Sequence, residues 1–92
     1  MNQKELLVQL EQLAEKLGIE IRYERIKNPA NITKGGLCKL KGRYIIIIDS
    51  NASASERVDL ISSILKRFNL KDIYILPALR RLLEKDEVLS PK

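Results

Sequence analysis

Four consecutive isoleucines, Ile45 to Ile48, sit between Gly42 and the polar run Asp49-Ser50-Asn51. A strand with one wet face alternates apolar and polar residues, whereas this run offers β-branched side chains to both faces. It is short and bounded by turn formers, which favours a strand over a buried helix. The run therefore predicts a central strand over 43–49, covered on both sides. At about 1.5–3 kcal/mol for each buried isoleucine, it is the largest block of core energy in the chain.

The remaining elements arrange themselves around that strand. Leu6, Leu10, Leu13 and Leu17 recur at helical spacing, with Leu7 and Ala14 widening the stripe, so 3–17 reads as an amphipathic helix ended by Gly18. Ile19, Ile21 and Tyr23 alternate with Glu20, Arg22 and Glu24, the pattern of a strand with one buried face, and 25–27 completes it. The loop 27–36 follows, and its length marks it as functional or mobile. Leu37 to Leu40, the turn Lys41-Gly42 and the isoleucine strand form a hairpin. Ser53-Ala54-Ser55-Glu56 matches a capping box, so a second helix begins near Ala54, with Val58, Ile61, Leu65 and Phe68 along its apolar stripe and Asn69 as its cap. Asp72 to Leu76 is a short extended segment, Pro77 opens a third helix to Lys85, and 86–92 is a frayed tail. The expected fold is a single α+β domain over 1–92, its helices packed on a small, largely antiparallel sheet.

Ninety-two residues allow one core and shallow pockets. Histidine is absent, which removes the commonest metal ligand and the one side chain that titrates near neutrality unaided. A single cysteine forbids an intrachain disulfide, no apolar run is long enough for a membrane span, and the amino-terminal stretch lacks the apolar region of a signal peptide. A cytoplasmic protein without a membrane partner is expected. The net charge of +5 is unevenly placed: residues 22–43 carry seven basic residues against one acidic.

That basic strip, Arg22, Arg25, Lys34, Lys39, Lys41 and Arg43, is the candidate nucleic-acid-binding set, since a basic ribbon can follow a phosphate backbone. Tyr23 and Tyr44 fall in apolar registers, which leaves the ribbon without stacking platforms. Lysines on an edge strand also serve to block aggregation. Gly35-Gly36 after Lys34 invites a phosphate-loop reading, but no Walker or dinucleotide order follows, and a strand entry or bulge accounts for the pair. Cys38 has no histidine to activate it and reads as a small buried or half-buried hydrophobe, with a nucleophilic role as the alternative. Asp49, Glu56 and Asp59 could gather at one end of the central strand, although helix capping explains Glu56 and Asp59. No catalytic residue, metal-ligand set or cofactor motif is assigned.

Two resemblances follow from these residues. Gly35-Gly36-Leu37-Cys38-Lys39-Leu40, the isoleucine strand, Glu56-Arg57 and Ile73-Tyr74-Ile75-Leu76-Pro77-Ala78-Leu79-Arg80 together resemble a group of small uncharacterised bacterial proteins of about this length, a likeness that implies no activity. A helix, a hairpin with a hydrophobic strand, a polar turn and then Arg57 before a helix is also similar to the core of the ImmA/IrrE-type zinc peptidases. If Arg57 matches their arginine, the positions of the zinc motif His-Glu-x-x-His fall on Ser62, Ser63 and Lys66, none of them a zinc ligand. That likeness implies a degenerate scaffold without its chemistry. The leading expectation is a non-enzymatic protein-interaction module that binds a partner or itself. The alternatives are a nucleic-acid-binding accessory protein and, last, a small enzyme.

Overall fold

The computed structural model describes residues 2–25 and 35–84. Its elements, in chain order, are α1 (Gln3–Lys16), β1 (Glu20–Glu24), β2 (Gly35–Leu40), β3 (Arg43–Asp49), α2 (Ala54–Leu65) and α3 (Pro77–Leu83). The fold is α+β, with the helices against one face of a three-stranded sheet ordered β1-β3-β2.

Helix boundaries follow from local chemistry. Asn2 and Glu5 form a capping box at the start of α1, and Ser53 and Glu56 form another at the start of α2. Each box satisfies two backbone amides that the first turn leaves without partners. Gly18, at φ +78°, follows the end of α1 and turns the chain back so that the Ile19 amide donates to the Ala14 carbonyl at 2.9 Å. Pro77 occupies the first turn of α3, where its missing N–H costs nothing. Residues 26–34, most of the expected functional loop, and the tail at 86–92 lie outside the described residues.

β3 is the central strand, but its partners run in opposite senses. β2 pairs with it antiparallel through a two-residue turn in which Lys41 and Gly42 both take positive φ, as a type I′ turn requires. β1 pairs with it parallel, Glu20 opposite Ile45 and Glu24 opposite Asp49. The sheet is therefore mixed, and the antiparallel ladder is confined to the hairpin.

The core lies on one side of the sheet. Ile46 and Ile48 are fully buried there with Leu10, Ile61 and Leu65, at about 1.5–3 kcal/mol for each such side chain. Ile45 and Ile47 point the other way, and although Ile45 is buried, neither belongs to that core. The expectation of cover on both faces holds in part: Ile45 is buried and Ile47 half-buried on the second face, but the helix-lined core lies on the first, because β-branched side chains fit either face of a pleat and composition alone does not say which face a helix covers.

Three further expectations change. α2 ends at Leu65, and Phe68 follows in the turn beyond it, edge-on to Tyr44 with ring centroids 5.2 Å apart. Ser62, a polar residue off the expected apolar stripe of α2, is nevertheless buried, its Oγ donating to the Asp59 carbonyl at 3.2 Å, so its hydroxyl is satisfied within the helix. The segment 72–76 keeps strand-like alternation, with Ile75 buried and Tyr74 exposed, yet joins no sheet.

Gly35 has a steric reason to be glycine. Its φ is +147°, and a Cβ there would stand 2.0 Å from the Ile47 carbonyl oxygen. At Gly36 an added Cβ meets nothing within 4 Å. Gly35→Ala is expected to lower stability by about 1–3 kcal/mol in urea unfolding. Gly36→Ala should change it by less than about 1 kcal/mol in the same measurement.

Candidate functional site

Strand periodicity and register define what the second face of the sheet displays. Ile45 and Ile47 share it with Arg43 and Asp49 at the two ends of β3, with Cys38, Gly36 and Leu40 from β2 and with Glu20, Arg22 and Glu24 from β1. None of these residues belongs to the helix-covered core. Leu40 is 53% exposed, and Cys38 is exposed where a buried or half-buried thiol was expected. The expectation for Cys38 assumed a covered face, whereas β2 is an edge strand of the sheet among the described residues and Cys38 stands outside the helix-covered core.

The basic residues are spread over this framework. Arg22 lies on the uncovered face, its Nε donating to Glu20 Oε2 at 2.7 Å, and that guanidinium holds the Glu20 carboxyl below the usual carboxylate range. Lys39 points to the opposite face, its Nζ 5.2 Å from the centre of the Tyr44 ring. Lys41 stands in the turn and Arg43 just after it. Because β1 runs parallel to β3, Arg25 lies beyond the Asp49 end, about 20 Å from the turn at about 3.3 Å per residue. Lys39, Lys41 and Arg43 thus gather at one end, and Arg22 and Arg25 stand apart from them. Lys34 lies outside the described residues. Gly35 and Gly36 stand in the β2 ladder opposite Ile48 and Ile47.

Tyr23 and Tyr44 do point to the helix side, but they are 38% and 37% exposed, because they sit where the helical layer ends. Around Tyr23 the structure builds an assembly that the sequence did not signal. Its hydroxyl donates to Glu11 of α1, and the Arg57 guanidinium lies 4.6 Å from its ring centre. Arg57 also donates from Nη2 to the Ser50 carbonyl at 3.0 Å, tying α2 to the end of β3. Partial burial, then the hydrogen bond to Glu11, raise the Tyr23 phenol well above its ordinary value, while Arg57 opposes the shift. The available signal was the tight turn at Gly18, which lays β1 back along α1 and brings residues 11 and 23 level.

The acidic residues resolve into local roles. Glu56 serves its capping box, and Asp49 Oδ1 accepts the Asn51 amide at 3.0 Å. Among the described residues no three histidine, cysteine, aspartate or glutamate side chains gather as a metal site would need. Of the positions where the zinc motif would fall, Ser62 is turned into the core and Ser63 donates to the Leu60 carbonyl at 2.9 Å. Among the described residues no helix is long and apolar enough to cross a membrane. No family model matches the sequence, and no curated protein or solved structure matches it either.

Spectrophotometric titration tests the Tyr23 assembly. The difference between wild type and Tyr23→Phe should show a phenol ionising above the usual 10.0. The sign follows from linkage: above that pH the unfolded chain loses the proton while the folded chain keeps it. Stability should therefore fall more steeply with pH above 10 in wild type than in Tyr23→Phe, as thermal melts at several alkaline pH values would show.

Proposed function

We propose that this protein is a non-enzymatic interaction module that binds a protein partner through the face of its sheet that lies away from the helices, at its exposed β2 side. The observation that carries this reading is the run of Ile47, Gly36, Cys38 and exposed Leu40 along β2 and β3, with none of them in the helix-covered core. A single exposed leucine is ordinary, but neighbouring apolar positions on one flat face form a surface that a partner can desolvate. The pair Arg22–Glu20 borders it with a polar rim, the usual anatomy of a protein interface.

Cys38 supplies the test, because it is a native thiol on that face. A benzophenone maleimide attached there should crosslink to a protein partner or a second copy, and the adduct should disappear in Leu40→Asp. The same reagent on Ser63→Cys in a Cys38→Ser background should give no such adduct. Leu40→Asp should change stability by less than about 0.5 kcal/mol, so lost crosslinking would report the surface and not the fold. Identical adducts from both positions would remove the reading.

A second reading, nucleic-acid binding, is favoured by one observation: Tyr44 is part-exposed beside Lys39, so an aromatic ring does stand at the basic end of the hairpin. Titration of labelled DNA and RNA at several salt concentrations tests it. Binding through Lys39, Lys41 and Arg43 should weaken with salt at a log–log slope of about −0.9 per phosphate contacted on duplex DNA. It should be lost when the three become glutamine, and absence of binding at low salt would eliminate this alternative.

A further inference from the structure

The outer edge of β1 faces a cleft of about 430 Å³ between that strand and α1. Its floor is Ile19, Ile21 and Tyr23, and its charged lining is Glu11, Glu15 and Glu20, with no basic side chain among the lining residues. This is an acidic pocket on a chain of net charge +5. β1 has β3 on one side, and among the described residues the order β1-β3-β2 leaves its other side at the sheet edge. A strand in that position presents backbone donors and acceptors to an added strand.

Spacing fits the charge to such a strand. α1 runs back along β1, since the Ile19 amide meets Ala14 and the Tyr23 hydroxyl meets Glu11. Glu11 and Glu15 are four residues apart on one side of the helix, a rise of about 6 Å. Alternate side chains of a strand are separated by about 6.6 Å, so two of them on the helix side would each meet one glutamate. Glu20 is already paired with Arg22, with Arg43 on its far side, and Glu11 accepts the Tyr23 hydroxyl, so Glu15 carries most of the selectivity and Glu11 adds its charge beside it.

We propose that the outer edge of β1 takes an extended peptide segment with Lys or Arg at alternate positions, which adds as a fourth strand beside Glu11 and Glu15. This surface is distinct from the uncovered sheet face. Crosslinking from Cys38 reports that face, and the Glu15 variants below report this edge, so either can fail alone.

The probe is a blocked, fluorescein-labelled peptide, Lys-Thr-Lys-Val-Lys-Thr, followed by anisotropy at physiological salt. It should bind wild type and lose roughly tenfold or more in affinity for Glu15→Lys, with a smaller loss for Glu15→Gln. Replacing its valine by proline, which removes a main-chain donor but no charge, should also weaken binding. Asp59→Lys, an equal charge change on exposed α2, should leave affinity unchanged, and circular dichroism should match wild type for every variant. Equal weakening by Asp59→Lys, undiminished binding of the proline peptide, or no binding of the alternating peptide would overturn the proposal. So would self-association abolished by Glu15→Lys without peptide binding, because the occupant would then be a second copy.

Discussion

Ile46 and Ile48 fix this molecule because they sit on β3, which among the described residues has hydrogen-bonded neighbours on both sides and a helical layer above it. Their burial sets the register of β1 and β2, since a slip of one residue would turn both isoleucines away from Leu10, Ile61 and Leu65. The capping boxes, the Gly18 turn and the Lys41-Gly42 turn then bring each neighbouring element back onto the same strand. Stability is thus concentrated in one layer, and the opposite face of the sheet is released from the core.

That division governs where charge can go. Residues 22–43 hold most of the positive charge along the sequence, yet the parallel placement of β1 separates Arg25 from Lys41 by the length of the sheet. A hairpin-only sheet with β1 reversed would have put Arg25 near the basic turn. Instead the turn keeps Lys39, Lys41 and Arg43, and the β1 edge meets the glutamates of α1. Among the described residues the same three strands thus carry a basic corner at the turn, an acidic edge along β1, and an apolar strip of Ile45, Ile47, Cys38 and Leu40 flanked by Glu20, Arg22 and Glu24.

Much of the fold was legible because local chemistry determined it. Ser53 and Glu56 announced the start of α2, the leucine spacing announced α1, and Gly42 between two β-rich runs announced the hairpin. What local chemistry does not encode was illegible in proportion. Nothing in Ile19 to Glu24 distinguishes a parallel from an antiparallel partner, so strand order depended on where the whole chain packs. Tyr23 and Tyr44 were assigned to the correct side of the sheet but given too much burial, because alternation reports direction and not how far the covering helices extend. Cys38 failed for the related reason that a four-isoleucine run implied a second covering layer. The Glu11–Tyr23–Arg57 assembly joins three elements, and no spacing rule along one element would reveal it.

Gly36 bears on the shape of the uncovered face. It stands opposite Ile47 and contributes no side chain, and a Cβ built on it would meet nothing within 4 Å. The face therefore carries a gap in its row of side chains beside Ile47, and Cys38 and Leu40 follow at alternate positions towards the turn. Because the gap is open space, a larger side chain can be accommodated at 36 where none can at 35. Two adjacent glycines thus differ in kind: Gly35 is held by the backbone of β3, and Gly36 shapes only what the surface presents.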